Sequence, residues 1–219
     1  MKKGLVFRST GSWYTVESDG VFYACRIKGK LRLKGIKSTN PIAVGDWVLF
    51  EVDRHASEPE GTIVEIEERQ NYIVRKSVNL SKQTHIIASN IDQVFLLITL
   101  YNPPTFPAFI DRFLVTAEAY QIPSILVFNK LDTCSPEQEQ EIDPLAAVYE
   151  NIGYTTLKIS ATDGHNISEI ESMMQNKVSI FSGHSGVGKS TLINAIAPDL
   201  NLKTAAISDQ YQQGTHTTT

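Results

Sequence analysis

Residues 183–190, Gly183-His184-Ser185-Gly186-Val187-Gly188-Lys189-Ser190, fit the pattern G-x-x-x-x-G-K-[ST]. Glycines at this spacing let backbone N–H groups close around phosphate oxygens at a helix N-terminus, where the helix dipole also favours an anion. Lys189 would reach the β- and γ-phosphates and the Ser190 hydroxyl would ligate Mg²⁺, with Thr191 continuing the cradle. A glycine-rich turn alone only caps a helix. The phosphate reading rests on its setting, an expected strand at 178–181 before it and a helical pattern after it.

A phosphate cradle does not choose a base, and a second set of residues supplies that choice. Asn129-Lys130-Leu131-Asp132 follows the apolar run 125–128, at the carboxyl edge of an expected strand, where open α/β folds bind ligands. An ionised Asp132 only accepts hydrogen bonds, so it matches the N1–H and exocyclic amine of guanine and opposes the N1 acceptor of adenine. Asn129 both donates and accepts, and the Lys130 stem is long enough to cover a base plane. Ser160-Ala161, again just past an expected strand, resembles the short element whose backbone N–H reads guanine O6. Each short motif is weak alone; with residues 183–190 they form one guanine-nucleotide set.

The elements that must carry these residues divide the chain in two. Residues 1–85 hold 14 Lys+Arg against 10 Asp+Glu, net +4, whereas residues 86–219 hold 6 against 14, net −8. Opposite signs suggest modules with different partners, the basic one suited to nucleic acid. Short alternating segments at 4–9, 13–17, 21–28, 31–36, 46–52 and 62–67 predict a small closed β-barrel over residues 1–70, of the OB-fold kind, because closure removes exposed edges. Residues 71–88 read as a connector or mobile loop. From 89 to 219 continuous apolar runs alternate with helical patterns, which predicts an α/β domain with a parallel sheet covered on both faces. In the barrel, Lys28, Lys30, Arg32 and Lys34 alternate with Gly29, Leu31 and Leu33 and would share a face able to meet nucleic-acid phosphates. Trp13, Tyr14, Phe22, Tyr23, Trp47 and Phe50 are expected mostly in the barrel core.

Composition excludes several classes. With 42% apolar residues and 13 glycines the chain is globular rather than disordered. Cys25 and Cys134, far apart and without partner cysteines, argue against a disulfide framework or a zinc site and suggest a reducing compartment. The apolar run 94–100 is too short to span a bilayer and residues 1–8 do not form a signal peptide, so a cytoplasmic protein without membrane attachment is expected. His55, His85 and His165 are expected on the surface, and His184, at a variable loop position, facing solvent.

The order of the motifs is unusual. In Ras-like GTPases the phosphate loop comes first and the base-reading elements last, but here Asn129 and Ser160 both precede Gly183. The same sheet is obtained if the original termini are joined and the chain reopened elsewhere, since domain termini often lie close together. A basic barrel with Val44-Gly45-Asp46-Trp47-Val48, the permuted motifs, and then Gly214-Thr215-His216-Thr217-Thr218-Thr219 resembles the RsgA/YjeQ family of circularly permuted GTPases over essentially the whole chain.

That resemblance implies an OB-fold, a permuted GTPase domain and a C-terminal zinc domain. It implies ribosome-stimulated GTP hydrolysis in late maturation of the small (30S) ribosomal subunit, with binding to rRNA and release on hydrolysis; separately, a monomer is expected. It makes Thr217 or Thr218 the switch threonine that senses Mg²⁺ and the γ-phosphate. It also makes His216, whose imidazole can both donate and accept, the candidate for orienting the attacking water. Departures are Thr215, where a basic or amide residue is expected, and the lack of an Asp-x-x-Gly after Ser190 or of zinc ligands, so the sequence is read as stopping at the first switch, before the zinc domain. The rival reading is an RNA-binding assembly factor in which guanine nucleotide only locks a conformation. A large-subunit assembly GTPase is disfavoured by the leading barrel.

Overall fold

Alternation of inward apolar and outward polar side chains builds the first unit. In the computed structural model, which describes residues 1–27, 41–76, 84–202, 207–208 and 213–214, strands β1 (Lys2–Ser9), β2 (Tyr14–Ser18), β3 (Val21–Ile27), β4 (Trp47–Val52) and β5 (Glu60–Ile66) close into a barrel in the order β1-β2-β3-β5-β4. The β3–β5 pair is parallel and the other pairs are antiparallel. This is the five-stranded barrel expected of an OB-like fold. Val6, Tyr14, Val16, Tyr23, Cys25, Val48, Phe50 and Ile63 fill it. The expected strand at 31–36, and with it Lys28, Lys30, Arg32 and Lys34, lies outside the described residues.

The six named aromatic residues, expected mostly in the core, divide evenly between core and surface. Tyr14, Tyr23 and Phe50 point inward, but Trp13, Phe22 and Trp47 are 37%, 54% and 39% exposed. The period of two explains it: Phe22 and Trp47 precede the inward residues Tyr23 and Val48, so their side chains take the opposite face. On that outer face Arg26 lies over the Trp13 ring at 3.7 Å and Lys3 over Trp47 at 4.8 Å.

Where a connector was expected, β6 (Tyr72–Lys76) and β7 (Thr84–Ser89) pair antiparallel. Consecutive β-branched residues at Ile73-Val74 and Ile86-Ile87 favour extended backbone. The second strand docks by burying Ile86 and Ala88, with a parallel bridge from Ala88 to Val44. Asp46 is the hub of this docking. Its carboxylate is fully buried and accepts from the Ala43 amide (2.8 Å), from Arg69 Nε and Nη2 (both 2.6 Å) and from Ser89 Oγ (2.6 Å). Arg69 also donates to the Pro41 carbonyl at 2.9 Å. The barrel and its hairpin therefore form one compact unit that runs to Ile91.

The second unit, from Asp92 on, alternates strand and helix. It comprises β8 (Gln93–Ile98), α1 (Pro107–Ala119), β9 (Ser124–Phe128), α2 (Pro136–Gln140), α3 (Ile142–Asn151), β10 (Thr155–Lys158), α4 (Ile167–Met174), β11 (Ser179–Ser182) and α5 (Lys189–Ile196). The sheet is parallel throughout in the order β10-β9-β8-β11, which puts the last of its strands beside the first. Phe95, Leu97, Ile125 and Val127 pack one face against Ile167, Ile170 and Leu192 of α4 and α5. Leu96, Ile98, Leu126 and Phe128 pack the other against Ile110, Leu114, Ile142 and Tyr149 of α1 and α3. Strands buried on both faces are why those runs are apolar without alternation. Helix α2 opens with a capping box in which Ser135 Oγ accepts from the Gln138 amide and the Gln138 side chain accepts from the Ser135 amide. Among the described residues no helix is long and apolar enough to cross a membrane, and no three His, Cys, Asp or Glu side chains group as metal ligands.

Removing the Asp46 carboxylate should strand the Arg69 cation, whose side chain is 6% exposed. We expect Asp46→Ala to destabilise the barrel unit by about 3–5 kcal/mol. Tryptophan fluorescence in a urea titration measures this directly, because both tryptophans of the chain, Trp13 and Trp47, belong to that unit. A midpoint within experimental error of wild type would show that the ion pair is dispensable.

Candidate nucleotide site

Three loops leave the carboxyl edge of the sheet side by side, and their sequences are the motifs singled out above. After β11 the chain runs through Gly183–Gly188 into the first turn of α5, where Lys189, Ser190 and Thr191 sit half-buried. Two glycines are required by space as well as by backbone. Gly183 has φ of +142°, and a Cβ there would come within 2.6 Å of the Leu97 carbonyl oxygen; Gly188 has φ of +96°, and a Cβ there would lie 2.4 Å from Asn129 Nδ2.

Asn129 follows β9 and is 4% exposed. Its amide donates to the Ile98 carbonyl at 2.8 Å. The side-chain Nδ2 donates to the Val187 carbonyl at 2.8 Å, inside the phosphate loop, and Oδ1 accepts from the Ala161 amide at 3.1 Å. One carboxamide thus ties the ends of β9, β10 and β11 together. A left-handed Lys130, φ +71°, then turns the chain into a 3₁₀ turn at Leu131–Thr133 that presents Asp132 to solvent. Asp132 Oδ1 accepts from Ser160 Oγ at 2.8 Å, and that hydroxyl in turn accepts from the Asp163 amide at 3.1 Å. Ser160 and Ala161 are both buried. The structure therefore brings Asn129, Lys130, Asp132, Ser160, Ala161 and residues 183–191 to one edge.

Two cations complete the electrostatics. Lys189 Nζ donates to the Gly183 carbonyl at 2.9 Å and the His184 carbonyl at 2.6 Å, and burial pushes its ammonium below the usual lysine range. Lys130 Nζ donates to the Asn102 carbonyl at 2.7 Å; burial pushes it down too, against a smaller opposing pull from Asp132. The Ser190 hydroxyl, on the first turn after the phosphate loop, suits Mg²⁺, which takes a few protein oxygens and fills its remaining positions with phosphate oxygens and water.

His184, expected to face solvent, is half-buried. Its ring packs on Phe109 of α1 with centroids 3.7 Å apart, and burial, then Lys189 and Arg112, hold its imidazole below the usual histidine range. In the sequence Phe109 is legible only as a helical core position, and its contact with the loop exists only once the helix is docked. His216, Thr217 and Thr218 lie outside the described residues.

A protein-family model described as RsgA GTPase matches residues 66–219, and one described as RsgA N-terminal domain matches residues 3–63. The chain belongs to the RsgA GTPase family. It is 62% identical over 218 residues to the small ribosomal subunit biogenesis GTPase RsgA of Christiangramia forsetii, covering 99% of this chain and 69% of that relative. It is 52% identical over 220 residues to small ribosomal subunit biogenesis GTPase RsgA 2 of Bacteroides thetaiotaomicron, again covering 99% and 69%. The crystal structure of YjeQ from Thermotoga maritima superposes with a TM-score of 0.76 at 34% identity, over 93% of this chain and 68% of that one. YloQ, described as a circularly permuted GTPase, superposes with a TM-score of 0.71 at 31% identity, over 91% and 65%. The barrel-then-α/β chain thus shares its fold with both structures, one of them described as circularly permuted.

Gly188→Ala would force a strained backbone and push Asn129 off the Val187 carbonyl. We expect at least about ten-fold weaker GDP binding, the loss of one buried hydrogen bond and its unpaired partner. The barrel's urea midpoint, followed by tryptophan fluorescence, should be unchanged. Calorimetric titration with GDP reads the first quantity, and wild-type affinity would show that the loop tolerates displacement of Asn129.

Proposed function

We propose that this GTP hydrolase of the RsgA family serves as a guanine-nucleotide checkpoint in late small-subunit maturation, its GTP form holding the subunit and hydrolysis favouring release. The observation that carries the reading is the Asn129 carboxamide, which clamps a phosphate cradle and a base-reading loop into one site. Relatives named for small ribosomal subunit biogenesis match 99% of this chain and supply the partner in this reading.

Each residue then has a role set by its chemistry. The backbone of residues 183–188 cradles the phosphates, and Lys189, now bonded to two loop carbonyls, exchanges them for phosphate oxygens. Ser190, with Thr217 or Thr218, would hold Mg²⁺, which supplies charge neutralisation at the phosphates. Asp132 accepts from guanine N1–H and the exocyclic amine, while Ala161, whose amide is already engaged by Asn129, marks the loop that faces O6. His216 orients the attacking water. Lys28, Lys30, Arg32 and Lys34 meet rRNA phosphates, and the protein works as a monomer in the cytoplasm. Zinc belongs, in this reading, to a further domain of the longer relatives. Cys25 does not suit it, because it is sealed in the barrel with its thiol pushed up to about 12 by burial.

Asp132→Asn replaces an acceptor by a donor opposite the exocyclic amine of guanine. It should cost GTP about 1–3 kcal/mol of affinity, while xanthine nucleotides, which present a carbonyl there, should gain. Competition of GTP, XTP and ATP for wild type and mutant measures both signs. Equal competition by ATP and GTP in the wild type would remove the base-reading assignment.

Single-turnover hydrolysis with and without small subunits separates an enzyme from a nucleotide-locked binder: subunits should accelerate the step. In the same assay, with subunits saturating, His216→Ala should retain GTP binding and lose about ten-fold or more in rate, the contribution of a positioned water-orienting group. Wild-type rates would assign catalysis to other residues or to the ribosome.

A further inference from the structure

Lys130 is held by a part of the chain that none of the motifs includes. Its ammonium ends on the Asn102 main-chain carbonyl, in the loop that follows β8. Its Cε passes 4.0 Å from where a Cβ on Gly188 would stand, so the stem is stretched between the end of the phosphate loop and residue 102. Left free, a lysine stem samples many rotamers, and each must be frozen when a base lies against it.

The Asn102 carbonyl is itself fixed from beneath. Thr99 and Thr105 are both buried. Thr99 Oγ1 donates to the Pro103 carbonyl, the Thr99 amide donates to Thr105 Oγ1 at 3.3 Å, and the Thr105 amide donates to the Thr99 carbonyl at 2.7 Å. Two buried threonines therefore close the loop on itself and leave the residue 102 carbonyl directed at the lysine. Buried hydroxyls of this kind are kept where their bonds are made, since an unmade one is costly.

We propose that Thr99 and Thr105 are positioning residues for guanine-nucleotide binding: they set the Asn102 carbonyl, which anchors Lys130 so that its stem forms a ready wall for the base. The proposal rests on the reading that Asn129 to Asp132 face the base. It assigns the 99–105 loop to the base half of the site and not to the phosphate half.

Calorimetry on the full chain with two ligands, GDP and pyrophosphate, tests it. Thr99→Val and Thr105→Val should each weaken GDP binding roughly three- to ten-fold, the loss of one hydrogen-bonded constraint, and leave pyrophosphate binding unchanged. Thr105→Ser, which keeps the hydroxyl, should restore GDP affinity. Lys130→Met keeps the stem and loses the anchor, so it should weaken GDP by a similar factor, and adding Thr105→Val to it should cost nothing further. Equal losses for GDP and pyrophosphate, additive effects in the double mutant, or full GDP affinity in Lys130→Met would each overturn the proposal. If the valine variants do not fold, Lys130→Met and Thr105→Ser still decide it. Wild-type protein that binds ADP as tightly as GDP would instead overturn the base-reading assignment on which the proposal stands.

Discussion

A carboxamide closed off from water must find partners for both its amide and its carbonyl, because either left unpaired costs on the order of 1–3 kcal/mol. Asn129 meets that demand with the Val187 carbonyl on one side and the Ala161 amide on the other. Each partner belongs to a loop with its own task, phosphate in one case and base in the other. The constraint thus fixes the distance between two subsites that the chain supplies from separate segments. Gly188 has to be glycine for the same reason, since any side chain there would take the space of Asn129 Nδ2.

Permutation leaves this arrangement intact. A parallel sheet needs only that its strands lie in the right order, and β11 reaches its place beside β8 although it comes last among the sheet strands in the chain. The carboxyl ends of β8, β9, β10 and β11 then face one edge, and the loops that leave them meet whatever their order in sequence. Opening the chain elsewhere gives the phosphate loop a new C-terminal neighbour. Gly214 to Thr219 follow it in the sequence.

The site is more legible in the sequence than its supports are. Phosphate and base motifs are local strings whose chemistry depends on residue type, and the strand that leads to Asn129 is an apolar run buried on both faces. The barrel strands are legible from alternation. Contacts between distant segments are not. The Phe109–His184 packing requires α1 docked against the loop, and the Asn102 carbonyl has no side-chain signature because any residue carries one. The hairpin of β6 and β7 is hidden for a related reason: Arg69, Arg75 and Lys76 give its neighbourhood the polarity of a connector, while its docking depends on Asp46, whose partners Arg69 and Ser89 lie 23 and 43 positions away. Outward Trp13, Phe22 and Trp47 show the converse, large aromatics whose face is set by register and not by hydrophobicity.

The central claim is that one side chain holds phosphate and base subsites together, and Asn129→Ala tests it. Affinities for pyrophosphate and for GDP should both fall, because the phosphate loop loses its support at Val187 at the same moment as the base loop loses Ala161. An Asn129→Ala protein that binds pyrophosphate with wild-type affinity while losing GDP would contradict the account, leaving Asn129 a base contact and the phosphate loop self-supporting.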